Sequence, residues 1–159
     1  MESSKILVIF ASDMSKHLYI ICGPNGAGKT TASYSVLPKI LLCKEFVNAD
    51  EIARGEKAHQ QGYEVTLIYF WLKSPEQAIE RVAERGSKGG HNIPQDIIVR
   101  RYYEGIDNLF SIYMPIVDTW ILVNNSETPR SVIATGGKDQ ETAVKNSVLF
   151  KTIEEYVKR

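Results

Sequence analysis

Short apolar runs and helix-spaced apolar stripes alternate along the chain, and this alternation predicts strands connected by helices. The clearest run is EVTLIYFWL at residues 64–72, which is rich in β-branched and aromatic residues and predicts a buried strand. Further runs predict strands at residues 18–22, 46–49 and 120–123, and a weaker strand at residues 131–134. Strands that alternate with helices favour a mostly parallel sheet with helices on both faces, so the predicted fold class is α/β.

Two helices are predicted from their start signals. Ser74, Pro75 and Gln77 form a capping box with proline in the first turn, and the helix is predicted to end where the segment GSKGGH (86–91) begins. That glycine-rich segment is predicted to be irregular and mobile. A second helix is predicted to begin at Pro94. Its apolar stripe comprises Ile98, Tyr102, Ile106, Leu109 and Tyr113.

Three other segments have weaker patterns. Residues 51–61 are predicted to cross back between strands as a helix, although they carry few apolar residues. The apolar run at residues 6–11 is too short for a signal peptide or a membrane span, so it predicts either an extra edge strand or a disordered extension. The C-terminal segment is amphipathic through Val144, Val148, Leu149, Ile153 and Val157.

Composition limits the function classes. The 159 residues suit one domain, and the formal net charge of zero gives no general attraction to nucleic acid or to a membrane surface, so neither is expected as a partner. Cys22 and Cys43 have no metal-site spacing and lie in apolar surroundings. Two buried free thiols are therefore predicted, and with them a reducing, cytoplasmic location.

A glycine-rich motif gives the strongest functional signal. Residues 23–31 match G-x-x-x-x-G-K-[ST], in which backbone N–H groups surround a phosphate. Lys29 is expected to reach the β- and γ-phosphates, and the Thr30 hydroxyl is expected to bind Mg²⁺. The predicted ligand is therefore ATP or GTP with Mg²⁺. The candidate nucleotide-binding residues are Gly23, Pro24, Asn25, Gly26, Ala27, Gly28, Lys29, Thr30 and Thr31.

Asp50 follows the predicted strand at residues 46–49 and is a candidate general base. Phosphoryl transfer to a hydroxyl needs a carboxylate that orients the acceptor and takes its proton. The sequence also fits Asp50 as the N-cap of the following helix, with Glu51 in its first turn. The two roles are compatible.

Four arginines flank the glycine-rich segment at residues 86–91. Arg81 and Arg85 lie one helical turn apart just before it, and Arg100 and Arg101 lie just after it. Such an arrangement predicts a lid that closes over a triphosphate and neutralises the charge on the transferred group. The alternative is a set of helix-surface ion pairs, whose partners are Glu80, Glu84 and Glu104.

Two polar segments have open roles. His91 and Asn92 are either ligand contacts or loop residues. Residues 124–126 (NNS) either contact the nucleotide base or form a turn that leads to Pro129.

Six segments within residues 17–134 form a combined pattern: LYIICGPNGAGKTT, FVNADEIA, GYEVTLIYFWLKSPEQAIERV, GGHNIP, IVRRYYEGIDNLF and NNS before PRSVIA. Together they resemble the zeta-toxin-like family of P-loop kinases. The resemblance implies a P-loop NTPase domain at residues 17–159 and an N-terminal extension at 1–16. It implies an enzyme that transfers the ATP γ-phosphate to a small-molecule hydroxyl, such as one of UDP-N-acetylglucosamine. It also implies a protein partner of antitoxin type, with Asp50 as acceptor-side base.

The chain departs from this family after Asp50. Only the segment DEIARGEKAHQQG connects Asn48 and Ala49 to the strand that begins in GYEVTL. Members of the family carry a further helix, a strand and another helix at this place. The sheet is therefore expected to be one strand short of the family. Because the missing unit supplies substrate contacts, a second hypothesis is a nucleotide-binding module that transfers nothing. A third is a chain that needs a partner to fold stably.

Overall fold

The structure is a computed structural model, and it describes residues 6–12, 15–31, 46–48, 59–90 and 92–157. The strands are β1 (Ile6–Ser12), β2 (Ser15–Cys22), β3 (Phe46–Asn48), β4 (Tyr63–Trp71), β5 (Thr119–Asn124), β6 (Ser131–Gly137) and β7 (Gln140–Val144). The helices are α1 (Pro75–Ser87), α2 (Gln95–Asn108), which continues into a π-helical turn (Leu109–Tyr113), and α3 (Ser147–Val157). The seven strands among the described residues form one sheet in the order β3-β1-β2-β4-β5-β6-β7.

The centre of the sheet is parallel and its flanks are antiparallel. β4 pairs in parallel with β2 on one side and with β5 on the other. β1 lies antiparallel between β3 and β2, and the β6–β7 hairpin extends β5 in antiparallel fashion. The predicted parallel arrangement therefore describes the three central strands. The run at residues 6–11 does form a strand, but it lies inside the sheet and not at an edge.

The central strand is covered on both faces. Residues 67–71 of β4 are all buried, and because side chains of a strand alternate between faces, such a run requires cover on both sides. The apolar stripe predicted for α2 and the turn that follows it is buried throughout. Within this core, the Tyr102 hydroxyl donates a hydrogen bond to the carbonyl oxygen of Leu72 at 2.6 Å.

The start of α1 matches its sequence signal, and its end does not. The Ser74 hydroxyl accepts a hydrogen bond from the Gln77 N–H at 3.2 Å, and Pro75 is the first helical residue. Gln77 Oε1 accepts a hydrogen bond from the N–H of Lys73 at 3.3 Å. In a capping box this side chain usually accepts from the N–H of the N-cap residue itself, here Ser74, so the contact is shifted by one residue. The helix continues through Gly86 and Ser87, so these first residues of segment 86–91 are helical rather than irregular.

The C-terminal region differs from its predicted pattern. Val144, counted in the amphipathic segment, belongs to β7 and not to the helix that contains the other four residues, and Val148 of α3 is 73% exposed. Ile153 is the buried residue of α3. β7 has the sequence QETAV and is exposed along its length. Hydrophobic periodicity therefore carries no signal for this strand, and the sequence prediction missed it.

Candidate functional site

The glycine-rich motif forms a tight loop between the carboxyl end of β2 and the start of a helix. Residues 29–31 are helical, and the N–H of Ala27 donates to the carbonyl oxygen of Pro24 at 3.2 Å. Positive φ angles occur at Gly23 (146°), Gly26 (76°) and Gly28 (76°). Residues with a Cβ rarely adopt these angles, so the three glycines allow the curvature of the loop. The strand, loop and helix order that the motif requires is present.

Close packing against α1 also requires a glycine at position 26. A Cβ at this position would lie 2.9 Å from the carbonyl oxygen of Ala78 and 3.0 Å from the Cβ of Arg81. Helix α1 therefore packs directly on the loop. This contact brings the arginines of α1 to the loop, which their spacing in the sequence alone does not establish.

Lys29 is a buried cation at the centre of the loop. It is 6% exposed, and its Nζ donates to the carbonyl oxygens of Gly23 and Pro24, each at 2.7 Å. Within the described residues, no carboxylate pairs with it. Burial lowers the pKa of Lys29 to about 8; Cys22 opposes this shift and Arg85 adds to it. A buried ammonium with neutral partners is electrostatically complementary to an anion.

A cleft of about 410 Å³ opens beside the loop, and its lining consists of residues 25–31 together with Arg81 and Arg85. This volume lies within the range of small-molecule sites, roughly 300 to 1,000 Å³. Arg81 donates a hydrogen bond to the carbonyl oxygen of Ser126 at 3.3 Å, whereas the side chain of Arg85 is exposed. The cleft is therefore lined by three cationic side chains.

The other predicted site residues are placed differently. Arg100 and Arg101 are not among the described residues that line the cleft. Arg100 Nε lies 3.6 Å from Glu104 Oε1, and both side chains are more than half exposed, as expected for a helix-surface ion pair. Asp50 and His91 lie outside the described residues, and their predicted roles stay predictions.

Asn125, which follows β5, contacts the glycine-rich loop. Its Nδ2 donates to the carbonyl oxygen of Ala27 at 2.6 Å, and its Oδ1 accepts from Arg130 Nε at 2.6 Å. Asn124 instead accepts from the N–H of Ser126 at 3.0 Å, which is the turn-forming role considered for this segment. The sequence prediction missed Arg130, because no local pattern distinguishes it from other arginines in loops.

A second polar cluster lies at the opposite end of the sheet, where β4 and β5 begin. Asp118 Oδ2 lies 2.7 Å from His59 Nε2 and accepts from the N–H of Val65 at 2.7 Å, while its Oδ1 lies 2.7 Å from Lys138 Nζ. Burial alone would raise the pKa of Asp118, but the hydrogen bonds from Lys138, Val65 and His59 outweigh it and lower this pKa to about 2. The cluster connects β4, the start of β5 and the turn between β6 and β7, and it lies at the end of the sheet opposite the cleft.

The described ranges show neither a cluster of metal ligands nor a membrane-spanning helix. These ranges hold no group of three His, Cys, Asp or Glu residues suited to a metal ion. Thr30 accordingly stays a predicted Mg²⁺ ligand, a hydroxyl that would share the ion with phosphate oxygens and water, as Mg²⁺ often requires. The longest described helix has 14 residues, and none of those described has the length and apolar character to cross a bilayer.

Comparison with known proteins shows a shared fold. No protein-family model matches the chain, and no curated protein sequence matches it. A chain from the crystal structure of AvrRxo1-ORF1:AvrRxo1-ORF2 with sulphate ions aligns at a TM-score of 0.60 and 12% identity, over 84% of this chain and 62% of that chain. A chain from the crystal structure of AvrRxo1-ORF1:-ORF2 with ATP aligns at a TM-score of 0.52 and 18% identity, over 64% of this chain and 32% of that chain. This chain therefore spans less than two thirds of the length of either.

Proposed function

We propose that the chain binds ATP with Mg²⁺ through its phosphate loop and transfers the γ-phosphate to a hydroxyl of a small molecule. The observation that carries the proposal is the buried Lys29, whose hydrogen-bond partners are neutral carbonyls and which lines the same cleft as Arg81 and Arg85. Three cations around one cleft favour a ligand with several negative charges, and a nucleoside triphosphate is such a ligand. The fold that this chain shares with a protein crystallised with ATP supports the same ligand class. GTP offers the same phosphates.

Each residue of the cleft has a role in this proposal. The loop N–H groups and Lys29 bind the β- and γ-phosphates. Thr30 is the candidate Mg²⁺ ligand, and the ion would supply neutralisation of phosphate charge. Arg81 and Arg85 neutralise the charge that develops on the transferred group. Asp50, outside the described residues, is proposed to take the proton of the acceptor hydroxyl.

The acceptor and the partner follow from the resemblance. UDP-N-acetylglucosamine is the first acceptor to test, because the better-studied members of the zeta-toxin-like family phosphorylate it. A protein partner of antitoxin type is part of the same proposal, and the two-protein composition of the AvrRxo1-ORF1:-ORF2 crystals supports a search for one. A cytoplasmic location completes the proposal.

The second candidate function is nucleotide binding without transfer. The short connection DEIARGEKAHQQG after Asn48 and Ala49 favours it, because the family supplies substrate contacts from a longer segment at this place. This candidate predicts that the chain binds ATP with Mg²⁺ and forms no phosphorylated product.

Turnover separates the two candidates. The chain is expected to consume ATP in the presence of Mg²⁺ and UDP-N-acetylglucosamine or another hydroxyl acceptor. Arg85→Ala is expected to lower the rate of ATP consumption about tenfold, because this exposed arginine supplies part of the charge neutralisation. The control is Lys88→Ala, which removes a cation of the same helix end that pairs with Glu84 at 2.8 Å. Product formation in the wild type at the level of Lys29→Met would contradict transfer and leave the binding module.

Nucleotide affinity is expected to depend on pH through Lys29. Because the free protein holds this ammonium at a pKa of about 8, and a bound phosphate favours its charged form, ATP affinity is expected to fall about tenfold from pH 7 to pH 9. The stability of the ligand-free protein depends on pH in the opposite direction. Between pH 8 and about 10.5 the unfolded state binds this proton and the folded state does not, so the contribution of Lys29 to ligand-free stability rises with pH. Titration calorimetry in buffers of different ionisation enthalpy would detect proton uptake on binding near pH 8.5, and its absence would contradict the prediction.

A further inference from the structure

A buried side-chain relay joins the phosphate loop to the loop between β5 and β6. Asn125 is buried, and its amide bridges the carbonyl oxygen of Ala27 and the Nε of Arg130, each at 2.6 Å. A carbonyl can only accept and a guanidinium can only donate, so a single orientation of this amide satisfies both partners. A carboxylate in its place would satisfy Arg130 and set a second oxygen against that of Ala27.

Arg130 is itself held against the central strand. Its guanidinium carbon lies 5.5 Å from the centre of the Phe70 ring, within the range of a cation–π contact. The carbonyl oxygen of Phe70 is also the atom against which a Cβ at Gly23 would lie. β4 therefore contacts the beginning of the phosphate loop directly, and it supports the middle of that loop through Arg130 and Asn125.

The loop after β5 also holds the arginine of α1 that lines the cleft. The carbonyl oxygen of Ser126 accepts from Arg81 at 3.3 Å and from Gln77 Nε2 at 2.9 Å. Asn125 and Ser126, adjacent in the chain, thus fix two sides of one cleft. A displacement of the loop after β5 would therefore shift both Ala27 and Arg81.

The bond to Ala27 sets the direction of a loop N–H. The carbonyl of Ala27 and the N–H of Gly28 belong to one planar trans peptide, so they point in opposite directions. Gly28 has a φ of 76°, and because glycine adopts negative φ angles equally readily, this residue does not by itself fix the plane of the peptide. A hydrogen bond that fixes the carbonyl toward Asn125 therefore fixes the N–H of Gly28 away from it.

We propose that Asn125 and Arg130 are positioning residues, which hold the Ala27–Gly28 peptide in the orientation that presents the Gly28 N–H to the phosphates of the nucleotide. In this proposal the relay acts through the loop and not through contact with the nucleotide. This inference rests on the proposed function for its ligand, and its structural part concerns the ligand-free loop.

The first test is Asn125→Asp, which keeps the size of the side chain and its bond to Arg130 but loses the donor to Ala27. ATP affinity is expected to fall at least about tenfold, because a buried hydrogen bond is replaced by the repulsion of two oxygens. In the ligand-free protein, hydrogen exchange of the peptide that contains residues 23–31 is expected to accelerate while that of β4 is unchanged. The control is Asn146→Asp, since Asn146 Oδ1 only accepts from the N–H of Leu149 and a carboxylate does the same.

The second test uses Arg130, in case Asn125→Asp lowers the melting temperature too far for measurement. Arg130→Met is expected to weaken ATP binding and speed loop exchange, and Arg130→Lys is expected to restore part of both, because lysine keeps a charged donor for Asn125. Equal ATP affinity and equal loop exchange in the wild type, Asn125→Asp and Arg130→Met would overturn the inference and leave the proposed function standing. If the wild type binds no ATP, the proposed function fails, and loop exchange alone then decides: faster exchange supports the positioning role, and unchanged exchange overturns it.

Discussion

Lys29→Met is expected to weaken ATP binding at least about 100-fold, so that ATP no longer raises the melting temperature of the protein. Methionine keeps most of the length of the side chain and removes its charge. The loss corresponds to charge-assisted hydrogen bonds to phosphate, each of which contributes about 1.5 to 3 kcal/mol. The measurement is the melting temperature with and without saturating ATP and Mg²⁺. A ligand at 100 times its Kd stabilises the wild type by about 2.7 kcal/mol, which is several degrees for a domain of this size.

The matched control for this variant is Lys145→Met, the same chemical change at an exposed lysine. It is expected to keep the full ATP-induced shift. The ligand-free Lys29→Met protein is expected to melt no lower than the wild type near pH 7, because a cation that burial destabilises has been removed. An ATP-induced shift of wild-type size in Lys29→Met would show that the nucleotide binds elsewhere.

Asp118→Asn is expected to lower the free energy of unfolding by about 2 kcal/mol near pH 7 and to leave ATP affinity unchanged. The magnitude follows from the lowered pKa of Asp118, since each pKa unit corresponds to about 1.4 kcal/mol. The variant loses the charge that pairs with Lys138 and that strengthens the hydrogen bonds with His59 and Val65 at the beginning of β4 and β5. Chemical denaturation with a cooperative unfolding model measures the difference.

The pH dependence of this difference has a definite sign. The folded-state pKa of Asp118 lies below its ordinary value, so the stabilisation is complete above about pH 4 and is lost as the pH falls through about 2. The gap between the wild type and Asp118→Asn is therefore expected to narrow over that acidic window. Asp107→Asn, at an exposed position of α2, is the control and is expected to change stability by less than about 0.5 kcal/mol. Equal stabilities of the two variants would contradict the role of the cluster.

The parts of the fold that were predictable are those with local signals. The β-branched and aromatic run of β4 and the cap of α1 by Ser74 and Gln77 depend on residues close in sequence. The glycine-rich loop is also local, since its glycines and Lys29 all lie within residues 23–31 and its glycines adopt positive φ angles. Short-range chemistry is sufficient for such elements.

Long-range contacts account for what the sequence did not reveal. The donor from Asn125 to Ala27 and the support of Asn125 by Arg130 depend on how β5 lies beside the loop. The same holds for Asp118, which meets His59 across 59 positions of the chain. The hairpin strand β7 is polar and exposed, so its place in the sheet follows from pairing with β6 and not from hydrophobic spacing.

Calorimetric titration of the wild-type chain with ATP and Mg²⁺, with and without UDP-N-acetylglucosamine, tests the claim that this cleft binds a nucleoside triphosphate for transfer. The expected result is a single site per chain whose heat disappears in Lys29→Met, with a second saturable signal from the acceptor. Absence of any binding heat over a range of temperatures, from a protein that unfolds cooperatively, would contradict the claim.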